Sequence, residues 1–284
     1  SVDRQRGRGS VGEPANERVW PAGPLARRAV RDSRSRVAMS QRPVVVVITK
    51  GLPGHRSRVR PIVESLVRQG ADVYVADDGE SIDQWTTIGA SWIDLFADGT
   101  LDQADPVSKP RSFRQMAFAA RFGRQLAGRI ALLRPNLIVH DQAAVIGWVV
   151  ATELDVPRVQ LCSRSLIDGI DAYAAVLASG RSQIAEECLS AVDTLRSWGF
   201  PDATPFSFLT LRSDVLNVYP EPPQFVTMAE RDRLEPVVFV GSLATTAAGV
   251  ADVRRLSPVV DRPGRILGSF GTVIWRYFHE EALA

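Results

Sequence analysis

Apolar positions alternate between two rhythms from Pro43 to Gly241. PVVVVIT, Pro43 to Thr49, is an unbroken apolar run, as expected of a strand covered on both faces. In RSRVRPIVESLVRQ, Arg56 to Gln69, the residues Val59, Ile62, Val63, Leu66 and Val67 recur at helical spacing, and Gly70 follows as a stop. DVYVA (Asp72 to Ala76) and ASWIDL (Ala90 to Leu95) predict two further strands. Phe96 to Ser112, rich in Gly, Pro, Asp and Ser, reads as a long loop before a helix from about Phe113 to Leu133. NLIVH (Asn136 to His140) predicts a buried strand and Ala143 to Glu153 a short helix. PRVQLC (Pro157 to Cys162) is a strand, and Ala172 to Trp198 is mostly helical. DVLNVY (Asp214 to Tyr219) and PVVFVG (Pro236 to Gly241) close the series. Strands alternating with helices predict an α/β fold, a Rossmann-like doubly wound parallel sheet with helices on both sides.

Both flanks differ from this block. Residues 1–38 carry nine arginines and four acids with few large apolar residues, and are expected to be a disordered basic extension. A basic arm for RNA or membrane is one reading. The other is a flexible tail, or an upstream stretch ahead of a true start at Met39; with Trp20 the one aromatic among the charges, the composition favours it. Residues 242–263 read as a linker. GRILGSFGTVIW then repeats the opening pattern of strand and glycine turn, so 264–284 is expected to begin an incomplete second Rossmann-like domain.

The totals add little to this picture. Hydrophobic residues at 45% and charged residues at 23% suit a globular core, and a net charge of +2 gives no argument for a nucleic-acid partner. Cys162 and Cys188 form no disulfide framework or zinc pattern, so a cytoplasmic setting without metal is the expectation. The longest apolar stretch, Ala143 to Ala151, is too short to span a bilayer, and the arginine-rich start has no signal-peptide core.

Candidate chemistry sits in KGLPGH, where Gly51 and Gly54 lead to His55 directly after the first strand. Ligands of open α/β sheets bind beyond the carboxyl ends of the strands, and Asp141, following NLIVH, belongs to the same edge. A carboxylate on one imidazole nitrogen fixes the tautomer, and the other nitrogen then takes a proton from a hydroxyl. Two plainer roles compete: His55 hydrogen-bonding a carbonyl, and Asp141 capping the next helix. GxGxxG, GxxxxGK[ST] and GxSxG are all absent. Arg56, Arg58 and Arg60 read as a solvated helix face or as phosphate contacts.

The order of these pieces resembles the N-terminal half of GT-B fold glycosyltransferases, most nearly the nucleotide-sugar-dependent family that includes macrolide and other natural-product glycosyltransferases. PGHRSRVRPIVESLVRQGADVYVA is similar to that family's first loop, helix and second strand. RPNLIVHDQAAVIGWVVATELDVPRVQLCSRS is similar to its strand ending in Asp and the strand that follows. LNVYPEPPQF and FVGS resemble the strands before the interdomain linker, and GRILGSFGTV resembles the entry to the nucleotide-sugar domain. The resemblance implies an acceptor-binding domain over 39–241, with His55 as general base and Asp141 orienting it. It places Ser269, Gly271 and Thr272 near the donor diphosphate. It further implies inverting transfer from a UDP- or TDP-sugar to a hydroxyl of a hydrophobic small molecule, with no metal or other cofactor. Acceptor choice would rest on Phe96 to Ser112 and on Asp168 to Val176.

Two departures stand out. Arg58 replaces the family's proline three residues after the histidine, and the donor signature, His-x-Gly followed by Gly-Thr, Glu and Pro, is not in the sequence. The expectation is therefore a truncated donor domain with little or no turnover by these 284 residues alone, most simply as a truncated gene product or partial sequence; a split enzyme completed by a second chain is the other explanation. The alternative is a non-catalytic module that binds an acceptor or a partner.

Overall fold

The computed structural model describes residues 42–101, 114–162, 184, 186–241 and 243. The basic extension 1–38, most of the 96–112 loop, the 168–176 region, nearly all of the linker and the whole of 264–284 lie outside the described residues. Ser269, Gly271 and Thr272 lie there with them.

Seven strands form one parallel sheet: β1 (Val44–Ile48), β2 (Asp72–Asp77), β3 (Ser91–Asp94), β4 (Leu137–Asp141), β5 (Arg158–Leu161), β6 (Leu216–Tyr219) and β7 (Val237–Phe239). Their order is β3-β2-β1-β4-β5-β6-β7. The helices are α1 (Pro53–Arg68), α2 (Ile82–Thr86), α3 (Arg114–Ala131), α4 (Ile146–Glu153), α5 (Glu186–Ser197), α6 (Ser207–Thr210) and α7 (Met228–Leu234).

The unbroken apolar run in β1 has the cause inferred from sequence. Val45 and Val47 pack on one face with Val59 and Val63 of α1 and Trp85 of α2. Val46 and Ile48 pack on the other face with α3 to α6, through Met116, Phe122, Leu126, Val149 and Leu195. Cys162, Tyr219 and Leu234 form a smaller core beside β7.

Two boundaries differ in ways that bear on function. α1 starts at Pro53, three residues before the predicted start, because Pro53 occupies the first helical turn after an extended Leu52. His55 therefore stands in a helical turn, not at the end of a loop. β4 runs on through Asp141, which pairs with Leu161. The short α2, α6 and α7 were not predicted, since five, four and seven residues are too few to display a helical period.

One register row crosses the whole sheet: Ile93, Ala76, Ile48, His140, Gln160, Asn217 and Val237. It is apolar at one end and polar over β4 to β6. Two of the polar members are buried and donate to the segment crossing that face: Gln160 Nε2 to the Leu211 carbonyl at 2.6 Å, and Asn217 Nδ2 to the Ser213 carbonyl at 2.8 Å.

His140 belongs to this row and is fully buried. Its Nδ1–H donates to the Asp141 carbonyl at 3.0 Å, and its Nε2 accepts from Arg158 Nη1 at 3.2 Å, a neutral tautomer with both nitrogens used. Burial, reinforced by the Arg158 charge, pushes its pKa down to about 4. An unfolded histidine titrates near 6.5, so between roughly pH 6.5 and 4 the unfolded chain binds a proton that the folded chain refuses. Stability should fall as pH drops through that window, by at most about 3 kcal/mol. Urea unfolding at pH 7 and pH 4.5 measures the fall, and His140→Asn should remove this share of the slope. An unchanged slope in the variant would assign the acid sensitivity elsewhere.

Candidate active site

β1 and β4 are neighbours in the sheet, while the chain leaves β1 towards β2 on its other side. The end of β1 is thus the point where strand order reverses, and a crevice forms at such a point in open α/β sheets. α1 follows β1 directly and carries His55 in its first turn.

His55 Nδ1 lies 2.8 Å from Asp141 Oδ2. The Asp141 side chain is completely buried, and that of His55 is 18% exposed. The second carboxylate oxygen, Oδ1, accepts the Ala143 N–H at 2.8 Å. Asp141 does not cap the next helix, whose N-cap is Val145 with no side-chain hydrogen bond; one of its oxygens turns the chain after β4 and the other meets the imidazole. Burial would push the Asp141 carboxyl up, but His55, the Ala143 N–H and the nearby Lys50 charge outweigh it and hold it below the ordinary carboxylate value. An ionised carboxylate only accepts, so the His55 proton sits on Nδ1 and the Nε2 lone pair is left available.

The other side of the same turn holds a second buried ion pair. Arg56 Nε donates to Asp77 Oδ2 at 2.9 Å, and its Nη2 bonds the Gly51 carbonyl at 3.1 Å and pairs with Asp78. Asp77 is fully buried; its Oδ2 also takes the Trp85 indole N–H at 2.9 Å, and its Oδ1 takes the Asp78 N–H at 2.9 Å. Asp78 is shifted up by burial and by its charged neighbour Asp77, against the pull of Arg56. Neither a solvated face nor a phosphate contact describes Arg56, which is 9% exposed. Arg60 does keep to the helix face, paired with Glu64 four residues on at 2.8 Å. Arg58, at the departure from the family pattern, lies half-buried within α1.

The two loop glycines are not equivalent. Gly51 has φ +77°, and a Cβ there would meet Asp78 Oδ2 at 3.1 Å and Asp77 Oδ1 at 3.4 Å. Gly54 lies exposed within α1, with nothing within 4 Å of an added Cβ. Gly51→Ala should cost about 1–2 kcal/mol, while Gly54→Ala should be neutral or gain up to about 1 kcal/mol. Thermal denaturation of the two variants side by side checks the contrast; equal losses would contradict it.

Sequence reasoning missed Asp77 and Trp85, and with them the buried pairing of Arg56. One signal was present: the Asp77-Asp78 pair directly after a predicted strand belongs to the same sheet edge as His55. Among the described residues, no three His, Cys, Asp or Glu side chains gather to hold a metal ion. No helix there is long and apolar enough to cross a membrane.

Among solved structures, the calicheamicin glycosyltransferase CalG4 superposes with a TM-score of 0.55 at 18% identity, over 72% of this chain and 53% of its own. The glycotransferase of kitacinnamycin gives 0.54 at 18% identity, over 72% and 52%. The fold is the Rossmann-like domain of the GT-B type. At such identity the likeness concerns fold alone, and the chain spans about half the length of these GT-B proteins. No protein-family model matches the chain, and neither does any curated protein.

Proposed function

We propose that this chain is a glycosyltransferase that moves a sugar from a UDP- or TDP-sugar to a hydroxyl of a hydrophobic small molecule, with inversion at the anomeric carbon. The observation that carries the reading is the His55–Asp141 pair at 2.8 Å, with Nδ1 committed to the carboxylate and Nε2 left as a base. It sits at the switch point of a GT-B type sheet, where an acceptor would enter. His55 Nε2 takes the hydroxyl proton as the oxygen attacks the anomeric carbon, and the imidazolium that forms is stabilised by Asp141. The sugar–phosphate bond breaks on the opposite face, and the nucleoside diphosphate leaves with the bonding pair. By resemblance, Ser269, Gly271 and Thr272 lie near that diphosphate, where backbone N–H groups would neutralise its charge.

The test uses the full chain in excess over donor, so that a single turnover suffices. UDP- and TDP-sugars are mixed with phenolic and polyketide acceptors, and product is read by mass spectrometry and its anomeric configuration by NMR. An inverted product that His55→Ala does not form is expected. Wild-type protein that forms none with any donor, or His55→Ala protein that forms as much, overturns the reading.

A further inference from the structure

The first turn of α1 is held from both sides. β2 and β4 flank β1, and adjacent residues of the turn reach to their two ends: His55 to Asp141 on β4, and Arg56 to Asp77 on β2. Asp77, Asp141 and the fully buried Thr49 stand level at the carboxyl edge, one step beyond the paired row Ala76, Ile48 and His140. The Arg56 side is the more heavily built. One guanidinium ties two carboxylates and the Gly51 carbonyl, so it joins the end of β2, the loop after β1 and α1 itself. Trp85, with no exposed surface, locks Asp77 from α2.

α1 has little else to fix its start. Leu52, the residue before it, offers no side-chain cap, and Pro53 and Gly54 are exposed. The imidazole has one polar partner among the described residues, Asp141. A small rotation of this turn would lengthen a 2.8 Å contact and free Nδ1. We propose that Arg56 is a positioning residue, whose ties to Asp77, Asp78 and the Gly51 carbonyl hold the first turn of α1 where His55 meets Asp141. It does not touch a reacting atom. Its importance for transfer rests on the function proposed above, but the geometric claim does not.

The readout is therefore His55 itself. The chain has three histidines, His55, His140 and His279, so imidazole nitrogen and proton resonances of the full chain can be assigned by substitution. In the wild type, His55 should show a protonated Nδ1 whose proton exchanges slowly with water. Arg56→Ala should lose that signal or accelerate its exchange at least ~10-fold, as the carboxylate contact opens. Arg56→Lys, which can pair one carboxylate but cannot also reach the Gly51 carbonyl, should fall between. Should Arg56→Ala not fold, Arg56→Lys and Asp78→Asn carry the test, Asp78 being the partly exposed leg of the clamp. Val59→Ala is the control, since Val59 is buried on α1 in the apolar core and its side chain has no polar tie to these groups. It should lower stability and keep the His55 signature. If the Arg56 variants keep that signature, or Val59→Ala loses it equally, Arg56 does not position His55. Absence of sugar transfer by the wild type would instead count against the function and leave this result standing.

Discussion

Gly147→Ala is expected to cost about 3 kcal/mol or more, a large fraction of the roughly 5–15 kcal/mol that holds a domain folded. Gly147 lies in α4, and a Cβ added there would stand 2.4 Å from His140 Cβ and 2.8 Å from its Cγ. The first of these atoms is fixed to the backbone of β4, near the middle of the sheet, so no rotamer change moves it. The ring cannot turn aside either, because both its nitrogens are bonded. Nor can α4 back away freely: on its far side Gly123 of α3 packs so close that a Cβ there would meet Val149 at 2.6 Å. Relief has to come from the backbone, which close-packed interiors resist. Gly128→Ala on α3 is the internal control, because Gly128 is exposed and nothing lies within 4 Å of an added Cβ. It should gain up to about 1 kcal/mol. Urea denaturation of the two variants checks both signs, and a Gly147→Ala loss no larger than about 1 kcal/mol would mean the helix–strand contact is looser than described.

His140 and Gly147 also mark the limit of what the sequence conveys. Periodicity reports which positions are apolar, and that was enough to place all seven strands and α3 to within two residues. Parallel strands put their carboxyl ends at one edge, so His55 and Asp141 could be brought to the same place without coordinates. Gly147 in AAVIGWVV, by contrast, reads only as a weak helical position, because nothing local says that a histidine Cβ lies beneath it. Arg56 reads as polar surface for the same reason. Its burial depends on Asp77, 21 residues further on, and a single charged residue carries no record of its partner. The start of α1 was placed three residues late because Pro53 and Gly54 look like loop residues, although proline suits a first helical turn. The expected linker and second domain fall outside the described residues, so the structure bears on the acceptor-side expectations only.

Asp141→Asn should stop transfer almost as completely as His55→Ala, and for a reason that can be read separately from activity. Removing the base itself, His55→Ala, should slow the single-turnover rate on the order of 10²–10⁴-fold. The asparagine variant keeps the imidazole but reverses its protons. Asp141 Oδ1 accepts the Ala143 N–H in a fully buried setting, so the one oxygen of the new amide is needed there. Its NH₂ must then face His55 and donate to Nδ1. The imidazole proton moves to Nε2, and the nitrogen that should accept a proton from the acceptor hydroxyl already carries one. A loss of about 10²–10⁴-fold follows, with the fold nearly intact because the amide replaces the carboxylate atom for atom. NMR of the ring should show Nδ1 changing from protonated to unprotonated and Nε2 the reverse. The ring reversal accompanied by full activity would remove His55 Nε2 as the base while leaving the hydrogen-bond assignment correct. Full activity without the reversal would mean that the amide has turned its oxygen to His55 and left the Ala143 N–H unsatisfied. In that case stability, not rate, should drop, by about 1–3 kcal/mol.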